Sequence, residues 1–366
     1  MAYDGDSAGT PLVALDHEEL VVRRGRRSGA YTIVAVHSTA LGPAVGGCRL
    51  WRYVDSAAAA RDALRLSRAM TFKNAAAGLS LGGGKGVICA DPGGPPGAER
   101  RRAMLLDFAD TVNALDGRYI TAEDVGTSAE DMATLATVTR HVSGLAREQG
   151  GSGDPSPFTA QGVEAAMRAC VERRWPETGG DLAGRSVAVV GAGHVGGALA
   201  RRLSAAGARV TLADIDPTRR ALADELGAVW VEPTEALRAE VDVLAPCALG
   251  GVLDQTTIPY LRAPIVCGAA NNQLAHDGLA DDLAAHGILY APDFVANAGG
   301  IINISVELGP GGYDSEEAER RVATIEDTMR ALLDDAERDG VSPLAAAYAL
   351  ARRRLQEAEK AFNPTG

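Results

Sequence analysis

The sequence predicts an α/β protein made of two domains. Beyond about residue 159, segments typical of strands alternate with segments typical of helices, which indicates a parallel sheet covered by helices on both faces. The segment 150–157 reads Gly-Gly-Ser-Gly-Asp-Pro-Ser-Pro and interrupts the periodic apolar pattern on either side. A length of 366 residues suits two domains. We therefore predict an N-terminal α/β domain over residues 1–149 and a second α/β domain that begins at residue 150.

The composition is that of an ordinary globular protein, with 46% hydrophobic and 23% charged residues. A net charge of -12 argues against a surface that binds nucleic acid, which needs clustered Lys and Arg. The sequence contains neither a signal peptide nor an apolar run of membrane-spanning length, so we expect a cytoplasmic protein without a membrane partner. The cysteines lack the spacing of a zinc site and predict reduced thiols and no metal. They are Cys48, Cys89, Cys170, Cys247 and Cys267.

The first half contains segments of both kinds. Residues 1–10 are small and polar and are expected to fray. The β-branched run at 31–36 predicts a buried strand, and apolar residues at helical spacing predict an amphipathic helix over 55–72, with Lys73 just past its end. The other expected elements are a loop at 91–97, a helix at about 99–115, a strand at 118–121 and a helix from about 128.

The second half alternates regularly and then becomes helical. From Ser315 onward the pattern is helical nearly to the end, with Ser315 as a possible N-terminal cap and Glu316 and Glu317 as favourable first-turn charges. The predicted helices before that point are 159–173, 195–206, 217–226 and 278–286. The predicted strands are 186–190, 209–213, 242–245, 264–268 and 287–290.

A glycine-rich motif follows the strand 186–190. It reads Gly191-Ala-Gly193-His-Val-Gly196, and a helix and a second strand follow it. Gly191 permits a tight turn, Gly193 lets the backbone approach a pyrophosphate, and Gly196 allows close packing of helix and strand. The helix N-terminus, which includes His194 and Val195, supplies amide donors to the phosphates. These features predict a Rossmann-type dinucleotide-binding domain over residues 150–334.

The acid at the end of the second strand indicates which dinucleotide binds. Asp214 can accept hydrogen bonds from both ribose hydroxyls and would repel a 2′-phosphate, which favours NAD over NADP. Asp216 is close enough to take this role, and Arg219 or Arg220 could serve a phosphate. The alternative for Asp216 is a helix N-cap before Pro217.

Two lysines stand in apolar, glycine-rich surroundings, within Met70-Thr-Phe-Lys73 and Gly82-Gly-Gly-Lys85-Gly86. The second segment is not a nucleotide-triphosphate loop, because Leu79 stands where that motif needs its first glycine and Gly86 replaces its Ser or Thr. A glycine run instead lets the backbone pass close to a small ligand while the amine points toward it. A nearby second ammonium lowers the pKa of the first, which can then act as a base.

An acid is expected close to these lysines. Asp124 follows the predicted strand 118–121, where an open α/β fold presents ligand-binding side chains, and it could shuttle a proton beside Lys85. The alternative role for Asp124 is a helix cap, for which Thr127 and Ser128 are better placed.

Together these segments resemble the Glu/Leu/Phe/Val dehydrogenase family from about residue 41 to residue 307. The resemblance implies reversible NAD-dependent deamination of an L-amino acid to its 2-oxo acid, in a cleft between the two domains. It also implies that a C-terminal helix at about 335–366 packs back on the first domain. The motifs that carry it are Gly42-Pro-Ala-Val-Gly-Gly-Cys-Arg49, Met70-Thr-Phe-Lys-Asn74, Gly82-Gly-Gly-Lys-Gly86, Thr121-Ala-Glu-Asp-Val-Gly126, Gly191-Ala-Gly-His-Val-Gly196, Gly268-Ala-Ala-Asn-Asn272 and Pro292-Asp-Phe-Val-Ala-Asn-Ala-Gly-Gly300.

The family resemblance also assigns roles to individual residues. Lys85 would be the general base that activates water, and Asp124 would assist proton transfer. Lys73 would bind the substrate carboxylate, helped by backbone around Gly46 and Gly47. Met70 and Asn297 are expected at the substrate. Thr159, Asn271, Cys247 and Ala248 are expected at the cofactor, with Thr159 on the nicotinamide amide and Asn271 near the nicotinamide end.

The resemblance places four residues around the substrate side chain, namely Val45, Ala122, Ile301 and Ile304. All four are aliphatic, so a glutamate carboxylate would be buried without a partner. Their bulk favours valine, leucine and isoleucine over phenylalanine. Cys48 stands where relatives commonly have Thr.

Two other functions and one property remain open. One alternative is a phenylalanine dehydrogenase with the same mechanism. The other is a catalytically silent NAD-binding protein, whose expected mark would be loss of Lys85 or Asp124, and both are present. We expect a closed homo-oligomer, the usual state of such enzymes.

Overall fold

A computed structural model of the protein describes residues 16–90 and 94–362. These residues form two sheets flanked by helices, which confirms the predicted α/β class. Residues 1–10, the first part of the expected 91–97 loop and the last four residues of the expected C-terminal helix lie outside the described residues. Within the described ranges, no helix is both long enough and apolar enough to cross a membrane.

The first sheet is mixed, and its centre is a strand that the sequence pattern did not indicate. Its strands are β1 (Glu19–Arg24), β2 (Tyr31–Ser38), β3 (Ala44–Trp51), β4 (Gly82–Cys89) and β5 (Tyr119–Glu123). In the described part of the chain their order is β1-β2-β4-β3-β5. β2 is antiparallel to β1 and β4, whereas β3 is parallel to β4 and β5.

The glycines of β4 are required by packing inside the protein. A Cβ on Gly84 would lie 2.5 Å from the Tyr119 ring, and one on Gly86 would lie 2.4 Å from the Phe108 ring. These rings therefore account for Gly84 and Gly86, and the close approach of this run to a ligand stays a prediction.

Three helices pack on the first sheet: α1 (Ser56–Ala76), α2 (Ala98–Asn113) and α3 (Ala129–Ala136). Asp55 caps α1 by accepting a 2.6 Å hydrogen bond from the Ala58 amide. The helix continues beyond its predicted end, so Lys73 lies in the last turn of α1 and not past it. Of the two residues expected to be better placed than Asp124, Ser128 caps α3, in a capping box with Asp131, and Asp124 does not cap that helix.

The second sheet is parallel throughout its described strands, as predicted. Its strands are β6 (Ser186–Val190), β7 (Arg209–Ala213), β8 (Val229–Trp230), β9 (Val243–Pro246), β10 (Ile265–Val266) and β11 (Leu289–Tyr290). The order is β11-β10-β9-β6-β7-β8. From β6 the chain adds β7 and β8 on one side, and then returns to add β9, β10 and β11 on the other. Ligands of such sheets bind at this reversal, between β6 and β9, beyond the carboxyl ends of the strands. The flanking helices are α4 (Ser156–Arg174), α5 (His194–Ala205), α6 (Arg220–Leu226), α7 (Pro233–Ala236) and α8 (Leu279–Ala285).

The C-terminal region is helical but divided. Its helices are α9 (Asp293–Ala296), α10 (Gly299–Glu307), α11 (Ser315–Ala323), α12 (Ile325–Asp339) and α13 (Pro343–Phe362). Asp314, and not Ser315, caps α11 through hydrogen bonds from the amides of Glu316 at 2.9 Å and Glu317 at 3.2 Å. Gly340, with φ of 64°, ends α12 in the left-handed region that favours glycine. The continuous helix expected at about 335–366 is thus broken there.

Helix α13 lies against the end of α1. The Arg354 guanidinium donates hydrogen bonds to the carbonyls of Ala75 at 2.8 Å and Ala76 at 2.7 Å, in the last turn of the helix. The Tyr348 ring lies 5.3 Å from the rings of both Phe72 and Phe294. α13 therefore connects the end of α1 with α9.

Candidate active site

One face of the first sheet brings together residues that are far apart in sequence. Cys48 lies opposite Gly86, and Gly47 lies opposite Ala122, so Gly47, Lys85 and Ala122 share a face. A Cβ on Gly47 would lie 2.7 Å from the Cβ of Asp124. The glycine therefore leaves the space in which the Asp124 side chain approaches Lys85.

Lys85 and Asp124 form the central charged pair. The Lys85 ammonium donates to Asp124 Oδ2, and Lys85 is only 6% exposed. Burial opposes the ionisation of Asp124, but Lys85 and Arg49 together hold the pKa of this carboxyl below its usual range. The two residues predicted to handle protons are thus in direct contact.

A row of hydrogen-bonded side chains connects Lys73 with the second sheet. The Lys73 ammonium donates a 2.6 Å hydrogen bond to Asn297 Oδ1. Asn297 Nδ2 in turn donates to Asn271 Oδ1 at 2.9 Å and to the Ala269 carbonyl at 3.1 Å. The residues predicted for the substrate carboxylate, the substrate and the nicotinamide end therefore form one hydrogen-bonded row.

Burial lowers the pKa of Lys73 to about 8. The Lys85 ammonium acts in the same direction, whereas Asp293 and Asp124 oppose the shift. Near pH 8 this amine is therefore divided between its charged and neutral forms.

Asp293 is a site residue to which sequence reasoning gave no role. Its buried carboxylate accepts hydrogen bonds from the backbone amides of Gln273 at 3.1 Å and Phe294 at 2.7 Å, and burial raises its pKa. The neighbouring Asn272 has a φ of 52°, an uncommon conformation for a residue other than glycine. Asp293 thus fixes the loop that carries Asn271. The sequence feature that could have identified Asp293 is its position near the start of the 292–300 motif.

The four predicted pocket residues are buried and belong to one continuous apolar cluster. Val45 and Ala122 come from the first sheet, whereas Ile301 and Ile304 lie on α10. Met70 is partly buried and packs against the same cluster. Leu41, which sequence reasoning did not consider, does so as well.

Gly46 also has a reason within the protein to be glycine. A Cβ there would lie 1.8 Å from the Gly84 carbonyl oxygen. The Gly46 carbonyl accepts a 2.5 Å hydrogen bond from the Tyr119 hydroxyl. Close packing of β3 on β4 therefore accounts for this glycine, a role that the sequence did not reveal.

The three glycines of the dinucleotide motif differ in what surrounds them. Gly191 has φ of 109° and would place a Cβ 2.7 Å from the Ala248 amide nitrogen. A Cβ on Gly196 would lie 1.8 Å from the Gly191 carbonyl oxygen and 3.0 Å from the Cβ of Cys247. By contrast, a Cβ on Gly193 would meet no atom of residues 16–90 and 94–362 within 4 Å. The packing of the described residues explains Gly191 and Gly196, whereas it leaves the Cβ position of Gly193 open.

Space for a ligand lies in front of Gly193. This residue is the N-cap of α5, so the first amides of the helix are directed toward that space. An open groove of about 490 Å³ borders it and is also lined by His194 and Thr218. His194 is exposed and Val195 is partly buried at the start of the helix. A helix N-terminus with an unobstructed glycine fits a pyrophosphate.

Asp214 lies at the end of β7 and faces the glycine motif. Its two carboxylate oxygens accept hydrogen bonds from the amides of Ala192 at 2.6 Å and Asp216 at 2.8 Å. Asp216 caps the turn 217–219 by accepting a 3.0 Å hydrogen bond from the Thr218 amide, and Arg219 lies 3.6 Å from it. Asp216 therefore serves as the N-cap, and Asp214 is the acid directed at the dinucleotide motif.

The remaining predicted cofactor residues surround the same edge of the second sheet. Thr159 lies in the first turn of α4, and its hydroxyl donates to the Pro155 carbonyl at 3.0 Å. Cys247 follows β9, and its amide donates to the Val190 carbonyl at 2.7 Å. Burial raises the pKa of the Cys247 thiol to about 12, so this side chain stays protonated. In residues 16–90 and 94–362, no cluster of three or more His, Cys, Asp or Glu side chains is suited to hold a metal.

Comparison with known families gives matches along most of the chain. Residues 17–141 match the family described as Glu/Leu/Phe/Val dehydrogenase, dimerisation domain. Residues 212–362 match the family described as Glutamate/Leucine/Phenylalanine/Valine dehydrogenase. Residues 159–249 match the NAD binding domain of the D-isomer specific 2-hydroxyacid dehydrogenases.

Individual relatives are similar over nearly their whole length. The chain is 44% identical to a leucine dehydrogenase from Bacillus cereus, over 94% of this chain and 92% of that protein. It is 45% identical to a valine dehydrogenase from Streptomyces albus, over 93% of each chain. Among solved structures it resembles an L-tryptophan dehydrogenase from Nostoc punctiforme, with a TM-score of 0.79, 39% identity, and coverage of 94% of this chain and 97% of that one.

Proposed function

This chain belongs to the Glu/Leu/Phe/Val dehydrogenase family, as its sequence predicted, and on that premise we propose that it reversibly deaminates branched-chain L-amino acids with NAD. One observation supports this proposal most strongly. The Lys85–Asp124 pair and the Lys73–Asn297 pair both lie beside an apolar cluster that contains Val45. Such a site can transfer protons, bind the substrate carboxylate and accommodate an aliphatic substrate side chain.

Lys73 binds the substrate carboxylate in this proposal. Its protonated amine offers three donors, of which Asn297 takes one in the present arrangement. A charge-assisted hydrogen bond to a carboxylate is stronger than a neutral one. Asn297 orients the amine and, through its amide nitrogen, sets the position of Asn271. Binding of the carboxylate thus fixes the substrate relative to the edge of the second sheet.

Lys85 and Asp124 move the protons. For deamination, the Lys85 amine must first lose its proton, after which it can take one from the water that attacks the substrate iminium carbon. Asp124 exchanges a proton with the departing amine. Because the two side chains are in contact and Lys85 is buried, proton exchange occurs within a sheltered pair. In the reverse direction the same groups return these protons.

The cofactor is a nicotinamide dinucleotide, and we propose NAD rather than NADP. When bound, it accepts the hydride from the substrate α-carbon. The amides of α5 and the open position at Gly193 would hold the pyrophosphate, and Thr159 the nicotinamide amide. Asp214 already accepts two backbone amides, but a carboxylate has about four lone-pair positions and can still accept two ribose hydroxyls. Its charge would repel a 2′-phosphate.

The apolar cluster supports an aliphatic substrate side chain. Val45, Ala122, Ile301 and Ile304 supply no polar atom that could pair with a glutamate carboxylate, and burying that charge without a partner is unfavourable. Hydrophobic pockets distinguish one methylene by only about 1–3 kcal/mol, so several aliphatic amino acids should be accepted. One similar protein is an L-tryptophan dehydrogenase, and aromatic substrates therefore belong in any test.

We further propose that the domains divide at residues 149 and 150 and close on each other about this linker. Glu307, at the end of α10, contacts both sides of it. Glu307 Oε2 accepts hydrogen bonds from the Gly144 amide at 3.0 Å, the Ser152 amide at 2.9 Å and the Ser152 hydroxyl at 2.6 Å. A linker held at both ends by one carboxylate restricts the path of closure, which would exclude water from the reacting carbon.

A homo-oligomer formed through the first domain is also proposed. Residues 17–141 match a family described as a dimerisation domain, and β1 lies at the edge of the sheet formed by the described residues, where a second chain could pair with it.

The test is initial-rate formation of reduced cofactor with valine, leucine, isoleucine, phenylalanine and glutamate, each with NAD and with NADP. A Lys85→Ala variant provides the control. An aliphatic amino acid with NAD should give the highest kcat/KM, and the variant should be inactive. If phenylalanine leads, the pocket assignment is wrong. If no amino acid is turned over by a protein that binds NAD, the chain is a silent NAD-binding protein.

A further inference from the structure

Arg49 lies between the Lys85–Asp124 pair and a second carboxylate. Its Nε donates to Asp124 Oδ2 at 3.3 Å, and its Nη1 donates to Asp62 Oδ2 at 2.9 Å. Arg49 and Asp124 have side chains that are 22% exposed, so this contact is largely sheltered from water. Asp124 therefore contacts two cations through one oxygen.

The contacts continue outward from Arg49 to the protein surface. Asp62, on α1, accepts a 2.7 Å hydrogen bond from the Tyr53 hydroxyl and a 2.9 Å bond from Arg65. The Asp62 side chain is 16% exposed, whereas that of Arg65 is 56% exposed. Charges thus alternate in sign from buried Lys85, through Asp124, Arg49 and Asp62, to the exposed Arg65.

Neutralising Asp124 does not require Arg49, because Lys85 already does so. A guanidinium is planar and presents its donors in a fixed fork, so two carboxylates on different elements hold it in one orientation. Arg49 comes from β3, Asp124 follows β5, and Asp62 belongs to α1. The fork therefore fixes the end of β5 relative to α1, and with it the approach of Asp124 to Lys85.

Building on the proposed function, we propose that Arg49 is a positioning residue that holds Asp124 against Lys85 and sets the pH range in which the pair transfers protons. Asp62 and Tyr53 orient its guanidinium. Arg49 itself remains charged, since its two carboxylate contacts raise its pKa above the usual value despite burial.

The direction of the effect follows from charge. Asp124 Oδ2 contacts both Lys85 and Arg49. Deamination requires the pair to release a proton, and a neighbouring cation favours that release. Loss of Arg49 should move the half-maximal pH of kcat/KM upward, whereas loss of the Asp62 charge should move it downward. Of the other titratable groups that interact electrostatically with the pair, Lys73 lies on α1, whereas Cys48 on β3 and Tyr119 and Glu123 on β5 belong to the opposite face of the sheet.

The experiment measures kcat/KM for the best aliphatic amino acid from pH 6.5 to 10.5 in the whole enzyme. Arg49→Gln should raise the half-maximal pH by about one unit and lower kcat about tenfold, with KM little changed, because Lys73 binds the carboxylate. Arg49→Lys keeps the positive charge but loses the planar guanidinium. It should therefore keep the half-maximal pH near that of the unchanged enzyme while kcat remains lowered. Asp62→Asn should shift the profile in the opposite direction. Arg61→Gln, a change of an exposed arginine on the same helix, should leave the profile in place.

Each result bears on a different claim. If the unchanged enzyme turns over no amino acid, the proposed function fails. If it is active and the Arg49→Gln profile overlaps that of the unchanged enzyme, the role of Arg49 is only structural. If the half-maximal pH moved in the same direction in Arg49→Gln and Asp62→Asn, the proposal would also be overturned. Loss of a positive and of a negative charge should move it in opposite directions. Should Arg49→Gln not fold, Arg49→Lys and Asp62→Asn still test the direction.

Discussion

The Lys73 ammonium and Asn297 Oδ1 lie 2.6 Å apart, although 224 positions separate the two residues in the sequence. Lys73 is in the last turn of α1 beside the first sheet, and Asn297 follows α9 beside the second. Their contact crosses the proposed cleft and continues through the Asn297 amide to Asn271. One asparagine thereby aligns a proposed substrate ligand with a proposed cofactor ligand.

Replacing Asn297 by alanine should reduce kcat/KM about 10- to 100-fold, since a hydrogen bond to a charged group contributes about 1.5–3 kcal/mol. Steady-state kinetics with varied amino acid and varied NAD measures this effect. Both Michaelis constants should rise, because Asn297 contacts both Lys73 and Asn271. A rise in only one of them would show that the side chain does not couple the two sites.

Lys85→Ala should lower kcat by at least about 100-fold, the smaller end of what a positioned acid or base contributes. Asp124→Asn should have a comparable effect, because the two side chains act as a pair. NAD binding, followed by protein fluorescence, should be unchanged in both variants. Substantial activity in Lys85→Ala would assign the base to another group.

Binding of a carboxylate should weaken above pH 8. Burial and the nearby Lys85 place the pKa of Lys73 at about 8, so its positive charge is present below that pH and is lost above it. The inhibition constant of 4-methylpentanoate, a carboxylic acid without an amine, should rise about tenfold per pH unit above this value. Lys73→Met should bind the inhibitor weakly at every pH. A constant that stays level to pH 10 in the unchanged enzyme would contradict this assignment of Lys73.

Two alanine substitutions in the dinucleotide motif should have opposite consequences. At Gly196 a Cβ would lie 1.8 Å from the Gly191 carbonyl oxygen, so Gly196→Ala should destabilise the fold by about 1–3 kcal/mol or more. At Gly193 the Cβ would meet no atom in the described part of the chain, so Gly193→Ala should keep the unfolding temperature and weaken NAD binding. Thermal unfolding and fluorescence titration separate the two effects. Unchanged NAD affinity in Gly193→Ala would argue against a pyrophosphate at this position.

Substrate preference should depend on Ile304. Ile304→Ala removes part of the proposed pocket wall. It should raise kcat/KM for phenylalanine relative to that for leucine, by a ratio that corresponds to about 1–3 kcal/mol. Ile302→Ala is the matched control, because Ile302 is also buried and lies two positions away on α10, which turns it to a different side of the helix. Equal changes in both variants would attribute the effect to loosened packing.

The second domain was predicted closely because its signals are local. Short apolar runs gave the strands 186–190 and 209–213 with the bounds that the structure shows, and the glycine motif lies between β6 and α5. The centre of the first sheet was missed for an equally physical reason. β4 begins Gly82-Gly-Gly, and glycine is depleted in strands, so composition alone argued against a strand there. Tertiary packing explains why glycine is required, because a Cβ would meet the Ser38 carbonyl at Gly82, Thr71 at Gly83 and the Tyr119 ring at Gly84.

The sequence by itself determined the chemistry, since the lysines, Asp124 and the glycine motif can be recognised from residue type and spacing. The tertiary structure decided which of these groups touch. The contacts of Lys73 with Asn297, and of Arg49 with Asp124 and Asp62, depend on how sheets and helices pack across long separations in sequence. Periodicity and capping report the conformation of neighbouring residues, whereas such contacts arise only when apolar burial brings distant elements together.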